Sequence, residues 1–183
     1  MNSWYLPREA VIGGEEYPIH TDFRDILEIF SYFQDESLPP FVRWQIGLRL
    51  FYKEPVPQAL QKEAMEQLAA FISYGQPSGA GHVLIDWKKD ASMIIADINR
   101  TAHQEIRALP FVHWWTFLAW FHGIGEGQFS TVVAIREKLR KGKKLESWEQ
   151  EYYRDNKNRV DLPKQDSPEV QAEKARLLAL LEQ

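Results

Sequence analysis

The 183-residue chain contains no cysteine, which excludes disulfide bonds, thiol catalysis and thiolate metal sites and is typical of a reducing compartment. It also lacks a long apolar run. The longest one, residues 111–121, includes His113 and Thr116 and is much shorter than the roughly 20 apolar residues of a membrane span. The first residues have neither the basic nor the apolar region of a secretion signal. The sequence therefore predicts an intracellular protein without membrane contact.

An excess of basic charge is missing as well. There are 22 lysine and arginine residues against 26 aspartate and glutamate residues, for a formal net charge of −4. This balance disfavours a protein whose main task is to bind phosphate backbones. One local cluster is basic, and it consists of Arg136, Lys138, Arg140, Lys141, Lys143 and Lys144. Basic residues are also expected there from the dipole at the end of a helix, so nucleic acid is the less favoured partner.

Sequence motifs of the common enzyme classes are absent too. The chain has no GxxxxGK[ST], GxGxxG or GxSxG pattern, and its five histidines form no HExxH pair. Gly123, Gly125 and Gly127 lack the preceding strand and following lysine of a phosphate-binding loop, so they predict a turn between helices. We therefore predict no catalytic residues, no cofactor and no bound metal.

Aromatic residues, by contrast, are abundant at 13%, with seven tryptophans, and they recur at helical spacing. The pattern predicts a mainly α protein: a compact domain of about six to seven helices, with a short β-hairpin around Gly13 and Gly14. Helices are expected at residues 22–34, 40–51, 57–74, 86–106, 111–121, 129–139 and 167–183, the fourth being the longest. We assign residues 1–155 to the helical domain and residues 156–183 to a polar linker followed by an amphipathic helix.

Three carboxylates are the strongest candidates for chemistry. Asp86, Asp90 and Asp97 would lie along nearly one line of the predicted helix 86–106. Carboxylates so arranged can hold a divalent cation, which makes a metal-dependent hydrolase using Asp86 and Asp90 the alternative function. The competing interpretation is a partly solvated helix edge, with Lys89 and Arg100 as ion-pair partners.

Arg136 falls on the apolar side of its predicted helix. A buried arginine needs a paired carboxylate. We therefore hypothesise that Arg136 pairs with Asp86 or Asp90 as a structural clamp between helices. The alternative is that its long stem lets the guanidinium reach solvent.

Four segments of the chain resemble one protein family. They are the stretch from Leu6 to Arg24, which ends in Thr21-Asp22-Phe23-Arg24; Asp86-Trp87-Lys88-Lys89-Asp90; His113-Trp114-Trp115-Thr116-Phe117; and Ile135-Arg136. In order and separation these segments are similar to those of the bacteriophage gene-product-fifteen family, and the resemblance covers roughly residues 5–155. It implies a small protein of a siphophage or prophage tail gene cluster. In the third segment, His113, Trp114, Trp115 and Phe117 form an aromatic core motif.

The resemblance further implies a non-enzymatic tail assembly chaperone in the host cytoplasm. Its expected partners are the tape-measure and tail-tube proteins or a second copy of the chain, and a structural tail component is the other tail-related role. In the predicted last helix, Val170, Leu177, Leu178 and Leu181 form an apolar stripe that either binds a partner or packs on the chain's own core.

Overall fold

A computed structural model describes residues 4–74 and 84–162. Within this part the chain is mainly α-helical, with a two-stranded antiparallel sheet at the start, so the predicted fold class and hairpin are confirmed. The strands are β1 (Glu9–Ile12) and β2 (Glu15–Pro18). The α-helices are α1 (Phe23–Gln34), α2 (Pro40–Phe51), α3 (Gln61–Ile72), α4 (Ala91–Ala102), α5 (Trp114–His122), α6 (Gln128–Arg140), α7 (Ser147–Asp155) and α8 (Lys157–Val160). Single 3₁₀ turns occupy Gln58–Leu60 and Ile106–Ala108.

The hairpin turns at Gly13 and Gly14, whose φ angles of 60° and 83° are costly for any residue with a Cβ atom. Its register pairs Ala10 with Tyr17 and Val11 with Glu16. Ala10 and Ile12 face the core, while Val11 is exposed on the other side, as expected from the period of two along a strand. The hairpin therefore packs on the helical core through Ala10 and Ile12.

The helical spacing of Phe41, Trp44, Leu48 and Phe51 predicts one apolar face for α2, and the structure contradicts it at one of these positions. Leu48 and Phe51 are buried as expected, and Trp44 packs against Phe33 of α1 with a ring separation of 4.9 Å. Phe41, assigned to the same buried face, is 68% exposed. It lies in the first turn of α2, where its ring remains on the surface.

The predicted long helix 86–106 is wrong at both ends. At the start, the Asp86 carboxylate accepts hydrogen bonds from the backbone N–H groups of Lys88 and Lys89, which favours a separate turn before α4 begins at Ala91. At the end, His103 adopts the left-handed conformation with φ 54°. A 3₁₀ turn follows, capped by the Glu105 side chain. Local side-chain capping thus divides one apolar pattern into three pieces.

The segment after α6 contains more structure than its polar sequence predicted. Helices α7 and α8 lie between residues 147 and 160, where only polar sequence with scattered aromatic residues was expected. Helix α8 falls within the range assigned to the linker, yet its Val160 is 1% exposed and packs into the core. The described part thus has eight α-helices, more than the six to seven predicted.

The core is continuous and rich in aromatic rings. Its largest fully buried side chains are those of Trp114, Phe51, Phe71 and Phe117. Phe23 of α1 stacks on Phe117 of α5, with a 4.7 Å centroid separation and an interplanar angle of 6°. Helix α5 contributes four buried residues to this core: Trp114, Trp115, Phe117 and Leu118.

Candidate functional site

Arg136 and Asp90 form a buried bidentate ion pair. Arg136 Nη1 lies 2.6 Å from Asp90 Oδ2, and Nη2 lies 2.8 Å from Oδ1. The two side chains are 3% and 0% exposed. Arg136 therefore does not reach solvent, and of the two carboxylates considered for it, the structure brings Asp90 to it.

The Arg136 guanidinium also binds three backbone carbonyls. Nε donates to Val160 at 2.7 Å, Nη2 to Arg159 at 2.8 Å, and Nη1 to Leu84 at 2.9 Å. With the two bonds to Asp90, all five guanidinium N–H donors are used. One side chain of α6 thus holds the start of α4, the residues before it, and the end of α8.

Asp86 does not pair with Arg136, contrary to one of the two hypotheses. Its carboxylate accepts from the backbone N–H groups of Lys88 and Lys89 at 3.0 and 2.8 Å. Its own backbone N–H donates to Asp90 Oδ2 at 2.9 Å. Asp86 therefore contributes to the ion pair only through its backbone N–H, which helps to hold the Asp90 carboxylate that Arg136 binds.

Asp97, the third carboxylate, binds the start of a different helix. Its side chain accepts the backbone N–H of Phe129 at 3.2 Å, in the first turn of α6, and pairs with Arg100 at 3.1 Å. A carboxylate is favourable there, since the first N–H groups of a helix lack partners within it. Gly127 packs closely against this carboxylate, since a Cβ atom at Gly127 would lie 2.7 Å from both Asp97 oxygens.

The predicted line of carboxylates is consequently absent, because Asp86 precedes α4 and the three side chains have separate partners. Asp90 in particular uses both oxygens for Arg136, so neither is available to a divalent cation. Within residues 4–74 and 84–162 no group of three or more histidine, aspartate or glutamate side chains has the arrangement of a metal site.

His113 caps α5 and is buried. Its Nδ1 accepts the backbone N–H of Trp115 at 3.1 Å, and its Nε2 lies 2.9 Å from the carbonyl oxygen of Pro7. Because an N–H can only donate, Nδ1 is unprotonated and Nε2 donates to Pro7. Burial lowers the pKa of His113, as does the charge of Arg8, against the opposing effect of the Pro7 hydrogen bond. The neutral ring suits a structural role.

The rest of the aromatic motif also makes structural contacts. The indole N–H groups of Trp114 and Trp115 donate to the carbonyls of Ile72 and Phe71 at 3.1 and 2.9 Å. These carbonyls belong to the last turn of α3, where helix hydrogen bonding leaves acceptors unused. Phe117 stacks on Trp114 at 5.4 Å. The motif thereby joins α5 to α3.

Sequence reasoning missed the role of Asp22 and Arg24. Asp22 caps α1 through the N–H of Arg24, and its second oxygen accepts the N–H of Val112 at 2.9 Å. Arg24 Nη2 donates to the carbonyl of Leu109 at 2.8 Å. Asp22 was recognisable as an N-cap residue, but no local pattern indicates a partner 90 residues away.

The four segments singled out by resemblance therefore meet in pairs. Asp22 and Arg24 hold the residues leading into α5, and the backbone N–H of Trp114 donates to Thr21 at 2.7 Å. Asp90 binds Arg136. Trp87 connects the two pairs, since its ring lies 6.3 Å from Trp114 and 6.2 Å from Phe117. These contacts are internal to the fold, so a binding surface has to use side chains that remain exposed.

Exposed apolar side chains are the remaining candidates. The most exposed large ones are Trp4 (92%), Tyr5 (72%) and Phe41 (68%), followed by Trp148 (54%), Leu6, Val11 and Phe111. Such residues contribute to binding when a partner covers them. The predicted partner-binding stripe of Val170, Leu177, Leu178 and Leu181 lies outside the described residues.

Comparison with known proteins yields one result. A family model described as "Bacteriophage Gp15 protein" matches residues 5–162, a range that contains all four motif segments and ends just after α8. No curated protein and no solved structure matches the chain. In the described part of the chain, every helix is too short or too polar to cross a membrane.

Proposed function

The chain belongs to the bacteriophage Gp15 protein family, and on this premise we propose that it is a non-enzymatic tail assembly chaperone. In this role it binds the hydrophobic tape-measure protein in the host cytoplasm and keeps it soluble while tail-tube protein assembles around it. The observation that carries the proposal is the family match over residues 5–162, which makes the protein phage-associated.

The burial and hydrogen bonding of the motif residues support a binding role over a catalytic one. Asp90, the carboxylate of the hydrolase alternative, is 0% exposed and has both oxygens bonded to Arg136. His113 is buried, with both ring nitrogens in contact with backbone groups. Neither side chain is in a position to contact a substrate.

The surface offers apolar groups that suit an extended or helical apolar segment. Phe41 and Val42 lie in the first turn of α2, next to Pro39 and Pro40, which are also exposed. Tyr5 and Leu6 form a second exposed apolar pair near the hairpin. Neighbouring apolar side chains that are exposed to water favour association with an apolar partner.

The experiment is a pull-down with the tagged full-length chain from phage-producing cells, followed by mass spectrometry of the captured proteins and of purified virions. Tape-measure protein in the captured fraction, together with absence of the chain from virions, supports a chaperone. The chain retained in virions would instead indicate a structural tail component.

A matched pair of variants sharpens this test. Phe41→Ser removes the exposed ring of α2, and we expect it to reduce capture of tape-measure protein. Phe111→Ser removes a half-exposed ring outside α2, in the residues that precede α5, and serves as the control. Equal capture by both variants and the unmodified chain would exclude the start of α2 as the binding surface.

A further inference from the structure

The turn that follows α6 is basic and has a defined geometry. Four of the five residues 140–144 are basic: Arg140, Lys141, Lys143 and Lys144, which we call the basic turn. Gly142, with φ 62°, donates its N–H to Leu139 at 3.1 Å, and the N–H of Lys143 reaches Lys138 at 2.9 Å. These bonds satisfy two of the last carbonyls of α6 and fix the backbone of the basic turn.

Most of this charge lacks an ion-pair partner in the described part of the chain. Lys141 pairs with Glu137 at 2.5 Å. No carboxylate in residues 4–74 or 84–162 lies within ion-pair distance of Arg140, Lys143 or Lys144, and all three side chains are exposed. The basic turn thus presents three positively charged side chains. A carboxylate of a partner can bind them without breaking an ion pair within the described part of the chain.

An apolar surface adjoins the basic turn. Leu145 is buried and anchors the chain to the core, while Trp148, in the first turn of α7, is 54% exposed. Trp148 and Lys144 line the same shallow depression, with a volume of about 550 Å³, together with Leu145, Glu146, Ser147 and Gln150. The indole N–H of Trp148 donates to Glu146 Oε2 at 3.0 Å, which holds the ring at this depression beside the basic turn.

We propose that the basic turn and Trp148 form a docking site for a short acidic peptide segment that carries an apolar side chain. Carboxylates of the segment bind Arg140, Lys143 and Lys144, and its apolar side chain packs on the Trp148 ring in the depression. The inference goes beyond the proposed chaperone role, because none of these residues belongs to the four motif segments or to the start of α2.

The charges around the site favour a short segment over a long polyanion. Glu146 stands just after the basic turn and is exposed, whereas Glu151 and Asp155 farther along α7 both pair with Arg154. A nucleic acid extending past the basic turn would meet the Glu146 carboxylate first. A peptide of a few residues can contact the basic turn alone.

Binding is tested with the full-length chain and a fluorescein-labelled helical peptide rich in glutamate and leucine. The comparison peptide has lysine in place of every glutamate. The site variants are Lys143→Glu with Lys144→Glu, and Trp148→Ala. The control is Lys53→Glu with Lys62→Glu, which makes the same change in net charge at two exposed lysines outside the site.

We expect the acidic peptide to bind, the lysine peptide not to bind, and each site variant to weaken binding about tenfold. The control variant should bind like the unmodified chain. In NMR spectra of the unmodified chain, addition of the acidic peptide should change the amide chemical shifts of residues 139–148. No binding of the acidic peptide, or equal binding by site and control variants, overturns the proposal. So does tighter binding of a single-stranded oligonucleotide than of the peptide, which would assign the surface to nucleic acid.

Discussion

Arg136 and Asp90 face each other across α6 and the start of α4, in a side-by-side pair whose two N–O distances are 2.6 and 2.8 Å. The pair is isolated from water, and three backbone carbonyls complete the arginine's hydrogen bonds. A buried ion pair contributes little more to the free energy of unfolding than apolar side chains of similar size would. Removing one of its two members is strongly destabilising, because the other charge then stays buried without a partner. It acts as a junction of three chain segments.

The first prediction concerns this junction. Arg136→Met leaves the Asp90 carboxylate buried without its ion-pair partner, with only the Asp86 N–H still bonded to it, and removes the side-chain donor to three carbonyls. We therefore expect it to lower the free energy of unfolding by about 3–5 kcal/mol. Urea denaturation followed by circular dichroism measures the change. Arg154→Met, at an exposed arginine of α7, is the matched control and should leave the midpoint unchanged. A similar small effect from both variants would show that the junction contributes little to stability.

Gly127 and Asp97 lead to the second prediction. In Gly127→Ala the new Cβ atom would lie 2.7 Å from the Asp97 oxygens and 2.8 Å from Arg100 Nη2, so α4 and α6 must separate or Asp97 must turn away. We expect a loss of about 1–3 kcal/mol in the free energy of unfolding, measured by urea denaturation. Gly125→Ala, where no atom lies within 4 Å of the added Cβ, is the control. If both alanine variants unfold at the same urea concentration, the contact is less restrictive than the geometry indicates.

His113 leads to a prediction about pH. Burial lowers its pKa in the folded state, so the unfolded chain takes up the proton first as the solution is acidified. The stability contributed by the neutral ring is complete above the unfolded pKa of about 6.5, and it is lost as the pH falls below that value toward the folded pKa. We expect the free energy of unfolding, measured by urea titrations between about pH 7.5 and pH 5.5, to decrease on acidification.

Two asparagine variants isolate the contribution of His113. His113→Asn keeps a side-chain acceptor to cap α5 but does not titrate, so stability should depend less on pH in this range. His103→Asn removes an exposed histidine at a left-handed position that asparagine tolerates, and its pH dependence should match that of the unmodified chain. An unchanged pH dependence in His113→Asn would contradict the assignment.

Asp22 leads to the last prediction. Asp22→Ala removes both the cap of α1 and the acceptor for the N–H of Val112, so we expect a loss of about 1–3 kcal/mol in the free energy of unfolding. Asp22→Asn retains one acceptor oxygen and should lose less. Hydrogen exchange of the Val112 amide, read by NMR, should accelerate in the alanine variant. An amide that stays equally protected would mean that other contacts hold the residues before α5.

The sequence predicted the elements whose signals are local. Helix α1 begins after Asp22 because that side chain caps it, and the apolar stripe of Ile26 and Ile29 faces the core as its spacing indicates. Helix α6 extends from Gln128 to Arg140, within one residue of the predicted range at each end. The hairpin follows from two adjacent glycines, because few other residues adopt their φ angles.

Errors arose where local capping or neighbouring helices prevailed over periodicity. The apolar pattern of residues 86–106 predicted one helix, but it does not reveal that the Asp86 side chain closes a turn of its own. Phe41 has the spacing of a buried residue, yet its side chain is mostly exposed. Helices α7 and α8 have polar sequences, and the buried contacts of Glu149 and Val160 stabilise them in their positions.

The sequence by itself determined the mainly α class, the family resemblance and the need of Arg136 for a buried partner, because composition, motif order and helical spacing are properties of the chain. Only the tertiary structure decided that this partner is Asp90 and not Asp86, and that Asp97 caps α6. Those outcomes depend on contacts between residues 32 to 46 positions apart. Such contacts follow from how the helices pack, and no local pattern in the chain encodes them.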